Sequence, residues 1–451
     1  YMHQKMAITA FKPQPIFKGA QINADALKIY SADDAAWLSA AHERGAAAFS
    51  QMPLPQKNDE LWRRVDLSRF KLEAILGSIG QNEQPAQLPA DWNVLSTRAN
   101  APGWILHSNG HALESHLEAD LAAKGVVFTS LANAAQNHPA LLDEYWMTQA
   151  VKPTANYFAA MHAALARGGV VLFVPKGVTV DLPLRAATWM TASQQTAFHH
   201  TLIVLEEGAK ATLIEEFASE KNDAPGAQAM VNSCLEIILG KDAQLDYAST
   251  QDWARHVYNF SNERALVGEG ATLHWIIGGI GSKFTKSAIE ADMIGKGGTA
   301  LLSGVYFADT KQQLHYDTQQ NHIAENCKSD LLYKAALRDE ARTVWRGNIR
   351  VFPNAQKTDG YQANRNLQLS DKSRADSIPG LEIEADDVRC THGATIGNIE
   401  EEPMFYLESR GIPQNDARRL IVEGFFAPVI ERLPLAETRE RLTAEIGKKI
   451  G

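Results

Sequence analysis

A short phrase recurs through the middle of the chain and limits what the chain can fold into. Gly208-x-x-Ala211-x-Leu213 returns as Gly240-x-x-Ala243-x-Leu245, then as Gly268-x-x-Ala271-x-Leu273, and in a looser form as Gly295-x-x-Gly298-x-Ala300. The opening glycines are 32, 28 and 27 residues apart. A turn and a strand repeated at a near-constant period mark a chain that coils on itself and stacks its turns. Stacked strands lie about 4.7–4.9 Å apart, so a small residue at each corner is a steric need, while Leu fills the interior. The glycines are distributed accordingly: 15 of 31 fall between residues 168 and 304. A β-sandwich with Gly-rich hairpins is the competing arrangement. It calls for hairpin dipeptides such as Asn-Gly, and none occurs between 168 and 398.

Three regions follow. Residues 1–150 read as a mostly helical N-terminal region. A helix start at Asp33-Asp34 leads into an Ala-rich run, and a further helix is expected over Asp143–Val151. Short strands are expected at 103–106 and 125–128. Residues 151–398 form the coiled β core after one more helix over Phe158–Ala166. The core holds β-branched runs such as Val170–Val174, Thr201–Leu205 and Leu273–Ile277, with no long helix between them. Residues 399–451 form a helical tail. Glu400-Glu401-Glu402-Pro403 starts its first helix, Gly411 closes it, a second runs over 415–426 and a third follows Leu435.

The 44 Lys and Arg against 53 Asp and Glu give a net charge of -9. An acidic balance argues against nucleic acid as a partner, because phosphate binding needs a basic footprint. No apolar run approaches the length of a membrane span. Tyr1 to Met6 lack the apolar core of a secretion signal. Three scattered cysteines do not make a disulfide framework, which points to a reducing compartment and a cytoplasmic location. There is no phosphate loop, no Gly-x-Ser-x-Gly elbow, no His-Glu-x-x-His and no Cys-x-x-Cys. No catalytic residue is assigned, and the chain is not expected to be an enzyme.

What remains is a set of soft ligands. On a strand, Cys390 and His392 of Cys390-Thr391-His392 project to one side and could form half of a zinc, iron or iron-sulfur site. Judged by spacing alone, a buried Cys beside a corner His is the plainer reading. His315, Asp317, His322 and Cys327 match no metal-ligand spacing and read as structural. Cys234 reads as a small core residue, His199-His200 as an exposed turn, and Asp386-Asp387 as a solvated corner. In the tail, Phe405, Tyr406, Leu407, Phe425 and Phe426 pack on the β core or on another chain.

Residues 364–433 carry a family resemblance. Asn366–Ser370, Ala375-Asp376-Ser377-Ile378-Pro379-Gly380-Leu381-Glu382-Ile383, Ala385–Thr395, Phe405-Tyr406-Leu407-x-Ser409-Arg410-Gly411-Ile412 and Glu423-Gly424-Phe425-Phe426 together resemble the SufB/SufD family of iron-sulfur cluster assembly proteins. Leu182-Pro183-Leu184, His200–Val204 and Trp345-Arg346-Gly347-x-Ile349 agree, and the resemblance spans residues 140 to 435. Cys390–Thr395 is similar to the SufD branch, where the SufB branch usually reads His-Glu-Ala-Thr. Pro55…Glu60-x-Trp62-Arg63 is also SufD-like, with Lys57 one residue further from Trp62 than usual.

The resemblance implies a right-handed parallel β-helix flanked by helical parts, and a scaffold role. It implies pairing with SufB through the β-helices and docking of a SufC ATPase on the C-terminal helices, with Phe405, Tyr406, Arg410, Phe425 and Phe426 as partner-binding residues. By the same resemblance His392 holds iron or a transient iron-sulfur cluster shared with SufB, while Cys390 is a second candidate ligand. No tightly bound cofactor is expected. A SufB-like or homodimeric cluster scaffold is the first alternative, and a β-helix carbohydrate-cleaving enzyme the second.

Overall fold

The computed structural model describes residues 15–20, 22, 35–79, 85–89, 101–433 and 436–450. Asp33, Asp34 and Leu435 lie outside them, as do residues 1–6. The helices expected beside those positions run Ala36–Gln51 and Ala436–Ile450.

From Gly168 onward the chain winds as a flattened coil with two strands in each turn, one in each of two facing sheets. One sheet stacks Leu184–Met190, Lys210–Ser219, Gln244–Asp252, Thr272–Gly279, Thr299–Ala308, Lys328–Leu337, Asp359–Gln368 and Arg389–Asn398. The other stacks Gly168–Val174, His199–Leu205, Ala229–Leu239, Val257–Val267, Phe284–Met293, Gln313–His322, Arg342–Val351 and Arg374–Ile383. Neighbours pair in parallel, so a residue sits above its counterpart one turn earlier. The core is a parallel β-solenoid. One interior column reads Leu184, Leu213, Tyr247, Trp275, Leu302 and Leu331 before turning polar at Gln362 and His392.

The recurrent phrase does its work at the corners, though not all copies are in phase. Gly240, Gly268 and Gly295 stand at one level of the register. A Cβ on Gly268 would fall 2.5 Å from the Leu239 carbonyl oxygen, so a coil can pass this close only where a side chain is missing. Gly208 instead aligns with Asp242, because Lys210 pairs with Gln244, and the first copy is therefore two residues out of phase. Its φ of 69° belongs to a second corner series with left-handed backbone at Asp242, Gly270, Gly297, Asn326 and Lys357.

The coil begins ahead of residue 151. Strand Gly103–Ser108 pairs in parallel with Leu184–Met190, and His111–Leu117 folds back on it in antiparallel fashion. On the other sheet Val127–Ser130 runs antiparallel to Gly168–Val174. Leu121, Val126 and Phe128 join the interior cluster and plug this mouth of the coil. Outside, helices Ala36–Gln51 and Tyr157–Leu165 and the side chains of Phe17 and Phe70 pack on the second sheet through Tyr258, Phe260 and Phe284.

The helix expected over 143–151 lies earlier, at Pro139–Tyr145. Pro fits the first helical position, where its missing N–H leaves no carbonyl unpaired. Beyond Trp146 the backbone turns away, because the N–H groups of Met147 and Val151 donate to the Glu236 carboxylate at 2.6 and 2.9 Å. The tail forms helices Glu401–Ser409, Gln414–Ile430 and Ala436–Ile450. The last two lay Val422, Phe426, Val429, Leu442 and Ile446 over Ile276, Val305 and Phe307 of the first sheet.

Candidate functional site

The solenoid ends on strand Arg389–Asn398, which pairs on one side only, with Asp359–Gln368. Arg374–Ile383 is likewise the last strand of its sheet. No residue of the final strand is buried, and Ile383, Ile396 and Tyr361 expose apolar surface around it. Two rows of backbone donors and acceptors therefore face outward beside an apolar rim, the arrangement that recruits another chain by strand-to-strand pairing.

Cys390 and His392 occupy interior-facing levels of this last turn, above Gly360 and Gln362. The next turn of the coil is missing, so a position that would otherwise be enclosed opens to solvent and His392 is exposed. Cys390 is half-buried against Ile349, Val351 and Ala385. Burial pushes its thiol up, partly offset by a hydrogen bond from the Gly360 backbone, so it is mostly protonated at neutral pH. His392 is the more available donor of the two. Gly360 makes room below: a Cβ there would meet Cys390 Sγ at 3.3 Å and His322 Nε2 at 3.5 Å. Among the described residues no third His, Cys or carboxylate converges closely on this pair, so a complete ligand sphere needs atoms from another molecule.

The remaining candidates separate. His322 points into the coil and bonds Ser329 Oγ at 2.8 Å; burial pushes its pKa down to about 4, so it is neutral. His315 lies tilted against the Phe284 ring, and Asp317 pairs with Lys286. The Cys327 thiol donates to the Gly295 carbonyl at 3.3 Å and ties one corner to the next. Asp386 and Asp387 sit on an exposed corner. The His199-His200 doublet is not an exposed turn. Both residues lie buried on strand His199–Leu205, where His199 meets Glu215 at 3.3 Å and His200 meets Glu236 at 3.2 Å. Strand neighbours face opposite sides, which is how one doublet serves two surroundings.

The tail divides the five aromatic and basic residues named for it. Phe405 and Tyr406 are 73% and 56% exposed on helix Glu401–Ser409, which buries no residue, and Arg410 lies over the Tyr406 ring. Phe426 is instead fully buried against the first sheet, which corrects its expected role in binding a partner. Its helix turns the Val422–Phe426–Val429 stripe inward, and apolar burial on the sheet outweighs exposure. Phe425 is half-buried beneath Lys334, whose ammonium donates to the Phe425 carbonyl at 2.6 Å.

Comparison with known proteins agrees with this architecture. Residues 188–425 match the core domain of SufBD, the iron-sulfur cluster assembly proteins of the SUF system, and residues 20–186 match the SufBD N-terminal region. The chain is 32% identical to the iron-sulfur cluster assembly protein SufD of Bacillus subtilis over 335 residues, which is 74% of this chain and 76% of that protein. It is 31% identical to SufB of the same organism over 323 residues, 71% of this chain and 68% of that one. A SufBD family protein of Staphylococcus saprophyticus is 28% identical over 409 residues, 88% of this chain and 86% of the relative. With a plugged solenoid, a bare last turn and matches along nearly its whole length, the chain belongs to the SufBD family of SUF-system iron-sulfur cluster assembly proteins.

Proposed function

We propose that the chain is a SufD-like scaffold subunit. It pairs through the bare end of its solenoid with a SufB-type subunit and offers His392 at the junction, where iron or a nascent cluster is held as cargo. The observation that carries this reading is the exposed imidazole on an unpaired last strand, at an interior level of the coil, with no complete ligand set of its own. A SufB-type partner would supply the missing ligands. The chain performs no bond-making chemistry itself, works in the cytoplasm and holds no permanent cofactor at this junction.

Helix Glu401–Ser409, with Phe405, Tyr406 and Arg410 facing outward, is the proposed seat for a SufC-type ATPase. Motion there passes to the solenoid through the latched second and third tail helices. Supporting this, the Lys449 ammonium donates to the Phe307 carbonyl at 2.8 Å and Arg432 donates to Ser303 Oγ at 3.0 Å.

The test is the His392→Ala variant co-expressed with SufB and SufC partners. Cluster yield should fall at least about tenfold, the loss of one ligand's worth of affinity, while complex formation and thermal stability stay as in the parent. Unchanged cluster yield rejects the site. The near-equal identity to SufB favours one further measurement, anaerobic reconstitution of the isolated chain. A stable cluster absorbance on that chain alone would replace the SufD-like reading by a self-sufficient SufB-like one.

A further inference from the structure

Away from the open end, on the outer face of the second sheet, three ligand-bearing side chains meet under the N-terminal helices. His162 descends from helix Tyr157–Leu165, and His200 and Cys234 stand side by side on neighbouring strands. Their ligand atoms all lie within 4.8 Å of one another, and all three residues are buried. His162 Nε2 and His200 Nδ1 face each other at 3.1 Å.

The surroundings orient both rings. His162 Nδ1 is 3.0 Å from the Asn232 carbonyl oxygen, which can only accept, so Nδ1 bears the hydrogen and Nε2 of the neutral ring a lone pair. His200 Nε2 is 3.2 Å from Glu236 Oε2. Glu236 also accepts the Met147 and Val151 N–H groups, which fixes its carboxyl beside the ring. His162 Nε2 and His200 Nδ1 thus converge across 3.1 Å with the Cys234 sulfur beside them, a grouping that one cation can bridge.

The pocket also offsets the charge of a divalent ion. Two positive charges are met by the thiolate that Cys234 forms on binding the ion, with the Glu236 carboxyl beside His200, so the ion is not buried as a lone charge. The ring nitrogen of His162 turned away from the ion is held by the Asn232 carbonyl, and that of His200 lies 3.2 Å from the Glu236 carboxyl, the kind of outer contact that orients metal-binding histidines. Metal–nitrogen bonds of about 2.0–2.1 Å and a metal–sulfur bond of about 2.3 Å need ligand separations of the size seen here.

We infer that His162, His200 and Cys234 bind one thiophilic divalent ion, zinc or ferrous iron, that pins helix Tyr157–Leu165 to the sheet. This site is independent of the cargo proposed for His392. It takes up its ion as the chain folds, because the N-terminal helices close over it.

The experiment uses the full chain, purified without added metal and assayed by elemental analysis, then unfolded with chelator and refolded anaerobically with zinc, ferrous iron or cobalt(II). About one equivalent of metal per chain is expected, with tetrahedral cobalt–thiolate absorption after cobalt refolding. Cys234→Ala and His200→Gln should lose the metal and the absorption, whereas His392→Ala should keep both. A refolded parent chain with native circular dichroism and no bound metal overturns the inference, and His162 and His200 are then joined by a hydrogen bond alone. So does metal content that is unchanged in Cys234→Ala. Should the variants fail to fold, the cobalt spectrum of the parent chain alone decides: thiolate-to-cobalt absorption supports the site, and octahedral cobalt without it rejects the site.

Discussion

The two ends of the solenoid are built from the same strands yet finished in opposite ways. At the N-terminal end the chain reverses direction twice, placing antiparallel His111–Leu117 and Val127–Ser130 on the two sheets, and Leu121, Val126 and Phe128 close the interior. At the C-terminal end the last strand of each sheet runs parallel to its predecessor and stops, with no apolar plug above it among the described residues. Ile105 near the closed end is 0% exposed, while Ile396 at the open end is 47% exposed. A closed end stores stability. An open one leaves it to be gained on association.

The contrast can be broken by substitution. On the tail, Phe426→Ala should cost about 3–5 kcal/mol, as for a fully buried aromatic residue, and Phe405→Ala less than about 0.5 kcal/mol. Denaturant melts of both variants check this, and equal losses would mean that helix Glu401–Ser409 is seated within this chain. On the coil, Ile105→Ala should cost about 2–5 kcal/mol, against less than about 0.5 kcal/mol for Ile396→Ala. Comparable costs would show that the C-terminal turn is covered in the isolated protein.

A smaller effect comes from between the ends. Glu263 lines a cavity of about 50 Å³ inside the coil, where it accepts from Ser261 Oγ at 2.7 Å. Burial first, then the nearby Glu215, pushes its carboxyl up to about 7. The folded chain therefore keeps a proton that the unfolded chain has released above its ordinary value of 4.5. Stability attributable to Glu263 falls as pH rises from 4.5 to about 7, at on the order of 1 kcal/mol per pH unit, and then levels off. Glu263→Gln should remove that slope, which melts between pH 4.5 and 8 will read. Smallest in stability is Ile396→Lys, expected within about 0.5 kcal/mol of the parent. It should still abolish association with a SufB-type subunit in size-exclusion chromatography, and intact association would move the interface away from the last strand.

The sequence announced the coil because stacking imposes a period, and Ala243, Leu245, Ala271 and Leu273 fill that period at a constant register. It also placed Cys390 and His392 on one face, a property of any strand. Exposure was out of reach: His392 is accessible because no further turn follows, and a two-residue motif holds no count of turns. Phe426 and the His162–His200–Cys234 cluster were missed for a related reason. The ring buries itself on strands more than a hundred residues earlier, and His162 meets His200 across 38 positions only when a helix lies down on the sheet. The His199-His200 doublet looked like a turn because two polar residues together seldom enter a core, yet here each side of the strand has its own carboxylate.

The left-handed corners carry a consequence for how such a chain can change length. Asp242, Gly270, Gly297, Asn326 and Lys357 follow one another at 28, 27, 29 and 31 residues, each at the same point of its turn. An excision that runs from one of these residues to the next, such as 271–297, rejoins backbone of matching direction and hand. A cut that leaves the joined strand one residue out of register turns its side chains from lumen to surface. The protein can thus be shortened or extended in whole turns, as a spring is trimmed by the coil, and the height of its open end is adjustable without redesign of the contacts on it.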